Sequence, residues 1–460
     1  MPANASHPGE VQGLPRRSLL GAGLLAALAS PMIGRRVWAQ AAPPGGDGRL
    51  VVVFLRGAYD GLSAFVPYAD PDYYALRPNI AIAAPDGTAQ GALRLDASFA
   101  LHPSLAPLLP LWQQGVLGFV PSAGLPVPNR SHFDAQYQME VAHSGKASGS
   151  SGWLNSAARL RAPASSSPVA LGVGEANPAI LAGPAPVRLI PRGQAAARSG
   201  VLANEATRQA LMDLYAGNDR LGEAFRQGVD SRMQSAGQLA NERLAVNSRR
   251  AMETASPAMQ PGDRALDRDG TPPTSAAQMA QMAAASNGAA DPVGLQLDAQ
   301  NLGTLMRNDP ALRIGFLSAG GWDTHANQGA VTGQLAGNFT NLARGLLQLR
   351  QEFSRPGDVI VVLSEFGRTS AENGTRGTDH GFGNAMWLIG SAVAGGRPHG
   401  LWTGLARGNL NEGRDLPAHH DYRAVLAQVF RQTFAFSDAQ LADALPNASW
   451  DNRLDGLLKA

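Results

Sequence analysis

The 460-residue chain contains no cysteine. That excludes disulfide staples, zinc–thiolate and haem–thiolate sites and a cysteine nucleophile, so any metal must be held by histidine and carboxylate. An uncrosslinked chain rests on its core, and the roughly 420 residues of its main body are enough to bury a large one. An excess of one charge is also missing, since 38 Lys and Arg stand against 36 Asp and Glu. There is no polybasic block, no internal repeat and, beyond the N-terminus, no long apolar span. These absences argue against nucleic-acid binding and against a stable membrane span.

What is present begins at the N-terminus. "PRRSLLGAGLLAALASPMIG" joins Arg16 and Arg17 to an apolar run too brief to cross a bilayer, and "VWAQ" places Val37 and Ala39 at cleavage spacing. Residues 1–39 are therefore expected to be a twin-arginine export signal removed before Gln40, with residues 40–460 working in the periplasm. That route carries folded proteins, often with a cofactor already installed. Four arginines (16, 17, 35 and 36) and Glu10 give the leader a net +3, so a chain of formal charge +2 leaves a main body of −1.

Continuous apolar runs ending in Gly or an acid recur in "RLVVVFLRGAYDGL", "GVLGFVPSAG" (115–124), "RIGFLSAGGWDTH" (313–325) and "DVIVVLSEFGRTS" (358–370). Such runs suit fully buried parallel strands. Helical spacing separates them, as in 335–353, and the alternation predicts an α/β fold with a mainly parallel central sheet flanked by helices. The stretch 205–295 reads as a helical insertion with a mobile centre near 254–276. Its methionines (Met233, Met252, Met259, Met279 and Met282) are irregularly spaced, which favours packing over soft-metal binding.

In an open parallel sheet, ligands sit outside the carboxyl ends of the strands. Those ends carry Asp60, then Ser131 and His132 in "NRSHFDAQ", then Asp323 and His325, then Glu365 and Arg368. "GTDHGFGN" adds Asp379 and His380 soon after. Each has a plain alternative. Asp60 makes either a turn with Gly61 or a site acid, and Glu365 and Arg368 either pair with each other or serve a ligand. Ser131, opening a helix, is either an ordinary N-cap or a nucleophile at an end that favours anions. Several acids on one sheet edge would repel unless a cation, a proton or an arginine compensates. His102, His143, His399, His419 and His420 lack this context and read as surface or supporting residues, with Asp421 starting a helix.

"LRGAYDGL", "NRSHFDAQ", "GGWDTHANQ", "SEFGRT" and "TDHGFGN" together resemble the exported bacterial family catalogued as domain of unknown function 1501, over essentially the whole main body. That family looks like a branch of the alkaline phosphatase and sulfatase superfamily. The resemblance implies a sheet with metals at its carboxyl edge, Asp60 as the acid after the first strand and Ser131 as nucleophile. It also implies a metal pair in Asp323 and His325, and a late metal-binding region at Asp379 and His380. Two features depart from the superfamily pattern: Asp323 and His325 are two positions apart rather than four, and "SEFG" offers Glu365 where an Asp-His pair is common.

The expectation is a metal-dependent hydrolase of small or polymeric phosphate or sulfate esters. Asp60, Asp323, His325, Asp379, His380 and, more weakly, Glu365 would hold a divalent ion such as zinc, manganese or calcium. Ser131 would attack, and His132 or Arg368 would hold the anion. The rival expectation is a non-catalytic exported binding or assembly protein on the same scaffold, meeting a protein partner through 205–295. A real site is expected to bring Asp60, Asp323, His325, Asp379 and His380 to one strand-end cleft faced by Ser131, and Asp323 and His325 lying more than about 10 Å from His380, or Ser131 pointing away, would favour the rival.

Overall fold

In "LVVVFL" every side chain is apolar and fully buried, as expected of a strand covered on both faces. It forms β1 (Leu50–Leu55) at the centre of the computed structural model, which describes residues 46–143, 151–163, 167–217, 219–253 and 275–459. The chain divides into Met1–Ala39 and Gln40–Ala460. The export signal read in the first of these lies outside the described residues, as do 254–274, most of the expected mobile centre of the insertion, and with them Met259.

The remaining strands of the main sheet are β2 (Leu117–Gly124), β3 (Ala170–Val173), β4 (Val187–Ile190), β5 (Ile314–Ala319), β6 (Val359–Leu363), β7 (Asn384–Ile389) and β8 (His420–Asp421). Across the eight-stranded sheet the order is β8-β2-β7-β6-β1-β5-β3-β4. Every neighbouring pair is parallel except those made by β7, which runs antiparallel to both β6 and β2. The expected mainly parallel sheet is therefore present, with one reversed strand. The reversal matters for function, because the start of β7 lies at the same edge as the ends of β5 and β6.

Helices cover the sheet. In α5 (Gln334–Glu352), Leu335, Phe339, Leu342, Leu346 and Leu349 recur at helical spacing and are buried. They join Leu302 and Leu305 of α4 (Leu295–Asn308) and Val51 and Val53 of β1 in one core. α6 (Tyr422–Phe434) starts at Asp421, whose side chain accepts the Arg423 N–H as expected for an N-cap. The insertion is helical where described, with Glu205–Leu214, α2 (Arg220–Glu253) and α3 (Ala276–Ala285). No helix among the described residues is long and apolar enough to cross a membrane.

Of the histidines read as surface or supporting residues, His102, His399 and His420 are buried. His420 holds Asp451 through Nδ1 at 2.7 Å and accepts the Leu401 N–H at 2.7 Å, a structural tie between loops.

Candidate metal centre

β5 ends at Ala319, and two glycines turn the chain so that Asp323 and His325 sit at the sheet edge. The loop after β1 passes close by: a Cβ on Gly57 would meet the Asp323 backbone nitrogen at 2.8 Å, and its φ of +110° is one that side-chain-bearing residues avoid. Gly377 is fixed by the same crowding, since a Cβ there would lie 2.4 Å from the His325 carbonyl carbon. α1 (His132–Val141) begins beside them, capped by Ser131, and the loop before β7 brings in His380.

Three imidazoles meet at Asp323. Its Oδ1 lies 2.9 Å from His325 Nε2, 3.3 Å from His132 Nε2 and 3.3 Å from His380 Nε2. The ring edges also face each other, His380 Nε2 being 2.9 Å from His132 Nε2 and 3.0 Å from His325 Nε2. Each ring's other nitrogen is occupied. His380 Nδ1 donates to the Arg130 carbonyl at 2.7 Å, His132 Nδ1 to Glu365 Oε1 at 2.8 Å and His325 Nδ1 to Asp379 Oδ1 at 2.9 Å. With the Nδ1 atoms protonated, three neutral rings point lone pairs at one another and at a carboxylate. That arrangement repels itself unless a cation sits among the donors.

A metal-ligating histidine commonly donates its free N–H to a carboxylate or carbonyl, and all three rings do so here. Among the described residues the buried Asp323 Oδ2 has no hydrogen-bond partner, a further sign that the carboxylate suits a cation. Donor atoms around a tetrahedral ion with ligand bonds of about 2.0–2.1 Å stand roughly 3.3 Å apart, close to the spacings found. His132, Asp323 and His380 form the one group of metal-type donors among the described residues. His325 Nε2 lies beside that group, 2.9 Å from Asp323 Oδ1 and 3.0 Å from His380 Nε2, without belonging to it. The cluster can hold a divalent ion.

The electrostatics show the same demand. Burial works against charge on His132, but hydrogen bonds to Asp323 and Glu365 push its pKa up to about 9. Burial would raise the Asp323 carboxyl, yet hydrogen bonds from the three histidines and the Arg368 charge hold it well below the usual range. In the absence of an ion, a proton takes the cation's place.

The remaining sequence candidates are placed differently from their expected roles. Asp60 is not among the converging groups. Its carboxylate is clamped by Arg77 at 2.6 and 3.1 Å and accepts from Gln328 at 2.7 Å and from Ser63 at 2.7 Å. With four hydrogen bonds on the carboxylate, three of them to Oδ2, the Arg77 charge overcomes burial and keeps the carboxyl low without any metal. Glu365 stands behind His132: its Oε1 accepts from that ring, from Gln136 at 2.9 Å and from the Gly57 N–H at 2.8 Å. Asp379 likewise stands behind His325 and also accepts from Asn373 at 3.1 Å. Both carboxylates orient ligating rings rather than facing the donor set.

His132 and Arg368 are corrected as anion holders. His132 is a ring donor, and the buried Arg368 guanidinium is committed to Asp323 Oδ1 at 2.7 Å and to Thr378. Ser131 is exposed and accepts the Asp134 N–H at 3.5 Å, and among the described residues its hydroxyl makes no hydrogen bond to the cluster. Sequence reasoning did not find Arg77, Gln328 or the Arg130 carbonyl. Neither a lone arginine near a proline nor a backbone carbonyl carries a signal in sequence. His132 had one, since it followed a strand end just as His325 did.

Next to Asp323 and His325 the open space is only about 10 Å3, roughly one water's worth. Gln278, Gln281 and Met282 of α3 line it, so the insertion packs over the centre.

Fold and cluster define an α/β protein with a divalent-metal-type centre on its sheet edge, and the cluster supports metal-dependent hydrolase chemistry in general terms. The chain belongs to the family described as protein of unknown function (DUF1501), whose model matches residues 47–444. No curated protein matches the chain.

Proposed function

We propose that the protein is a periplasmic, metal-dependent hydrolase of phosphate or sulfate esters, exported by the twin-arginine route and related to the alkaline phosphatase and sulfatase superfamily. The observation that supports this best is the convergence of three Nε2 edges on Asp323, each ring with its Nδ1 already engaged. His132, Asp323 and His380 would hold one ion, with His325 as a further donor beside them. Imidazole nitrogens and a carboxylate oxygen suit zinc or manganese, whereas calcium, which collects oxygen ligands, fits this set poorly. When bound, such an ion supplies Lewis acidity to an ester oxygen and eases deprotonation of the attacking group.

The chain's own residues do the positioning. Glu365 and Asp379 keep the protons of His132 and His325 on Nδ1, and the Arg130 carbonyl does so for His380. Arg368 fixes the Asp323 carboxylate. Ser131 keeps the attacking role: it is exposed, adjoins His132, and its long cap bond leaves its hydroxyl weakly committed at a helix end that favours anions.

The test has two readouts. Purified protein should retain a divalent ion through desalting, and D323A/H380A should lose it. The loaded protein should hydrolyse 4-nitrophenyl phosphate or 4-nitrophenyl sulfate, and S131A should abolish turnover while keeping the ion. Wild type that holds no ion and cannot be reloaded would overturn the reading, and turnover retained in S131A would assign the attack to water.

The non-catalytic binding protein is favoured by the narrow space beside His325 and by the insertion's surface. Among the described residues, five of the nine exposed large hydrophobics (Leu214, Leu221, Leu244, Met279 and Val293) lie in 205–295. Loaded protein inert to both esters, with a stoichiometric partner lost when Leu214, Leu221 and Leu244 become serine, would decide for it.

A further inference from the structure

A second recess opens at the strand ends, lined by residues that the metal centre does not use. It measures about 600 Å3, within the range of small-molecule sites. Arg56 enters it from the end of β1, Glu175 from just past β3, and Phe133, Tyr137 and Glu140 from α1. Phe133 is 58 % exposed, the one aromatic among the exposed large hydrophobics of the described residues. It stands four positions before Tyr137, so both rings lie on the same face of α1.

The polar groups limit what can bind. Arg56 gives four of its five N–H groups to protein acceptors: Nε to Glu175 at 2.7 Å, Nη1 to Gln136 at 3.0 Å, and Nη2 to Glu140 at 2.8 Å and Glu175 at 2.9 Å. The guanidinium thus keeps a single N–H, while Glu175, the more accessible of the two carboxylates, keeps lone pairs to spare. An anion would meet two carboxylates. A cation would meet a guanidinium that already bonds both of them. A purely apolar ligand would strip water from Glu175, the accessible member of the three, without replacing it. A neutral molecule with many hydroxyl donors and one apolar face avoids each of these costs.

We propose that this cleft binds a neutral sugar ring, with Phe133 against its C–H face and Glu175 accepting hydrogen bonds from its hydroxyls. The inference goes beyond the hydrolase reading and does not require the metal. The two sites are nonetheless connected, because Gln136 accepts from Arg56 and donates to Glu365, the carboxylate that holds His132.

Calorimetric titration of the intact protein with maltose, cellobiose, lactose and diacetylchitobiose tests it, with choline and spermidine as cationic controls. At least one disaccharide should bind. F133A should weaken it about tenfold, the size expected for one stacked aromatic. E175Q should weaken it less, and H325A, in the metal centre, should leave it within about twofold. Since Phe133 is exposed, F133A should fold normally, which its circular dichroism would check. Binding of none of the disaccharides, preferential binding of the cations, or affinity unchanged in F133A would each overturn the proposal. None of these readouts depends on metal content or ester turnover, so the hydrolase reading and this one fail separately.

Discussion

The carboxyl edge of the sheet and the inserted stretch 205–295 treat their side chains in opposite ways. At the edge, Asp60, Asp323 and Glu365 are buried, and each is held by an arginine or by histidines. In the insertion, Leu214 and Leu244 are 73 % and 65 % exposed, and α2 buries only Gly222, Val229, Ser235, Ala236 and Leu239 among its described side chains. The edge is over-determined by directional bonds that leave each group one position. The long helix is attached by a narrow stripe, and its placement depends on few contacts. A change of similar chemistry should therefore cost very different amounts in the two regions.

The largest effect is expected from R77L. It would leave the Asp60 carboxylate buried without its partner, destabilising the fold by about 3–5 kcal/mol in urea unfolding. A loss below ~1 kcal/mol would break the contrast between the regions. Next comes a pH effect at His102, on the loop that packs against Phe339 of α5. Burial pushes this imidazole down to about 4, although its hydrogen bond to the Ala330 carbonyl opposes the shift. The unfolded chain then binds the proton more readily, so stability falls as pH drops from about 6.5 towards 4, by about 3 kcal/mol in all. H102Q should flatten that slope in thermal melts between these pH values, and an unchanged slope would assign the acid sensitivity elsewhere.

Smaller effects sharpen the comparison. E365Q should weaken divalent-ion affinity about 10–100-fold in competition with a chromogenic chelator, because His132 loses the anion that fixes its ring. Affinity within twofold of wild type would mean that Glu365 is a bystander. Smallest of all, L214S and L244S should each shift unfolding stability by no more than ~0.5 kcal/mol. A larger loss would show that the insertion is buried against something in the working protein.

The fold was legible where one physical demand dominated. "LVVVFL" and "VIVVL" are buried on both faces, and nothing but a central strand satisfies such a run. Asp421 announced α6 because an N-cap acts through its immediate neighbours. The reversal of β7 left no mark, since "NAMWLI" is as apolar as its parallel neighbours. At the site, residue types and strand ends pointed to the right edge and to its three imidazoles. The division of labour among the acids was not legible. Whether Asp60, Glu365 or Asp379 faces an ion or stands behind a ring depends on Arg77, Gln328 and Asn373, which reach them only through tertiary packing.

Because β7 runs against its neighbours, the donors of the centre come from chain segments as far apart as His132 and His380, 248 positions in sequence. No short piece of chain carries the full set, so an unfolded molecule offers an ion only scattered, weak sites. A bound ion would thus select the finished fold, adding about 2.7 kcal/mol to stability at a free concentration one hundred times its Kd. The ligand loops can close only after β2, β5, β6 and β7 are aligned, so loading should be among the last events of folding. Release of the ion should in turn accompany the first loosening of that edge, well before the sheet itself comes apart.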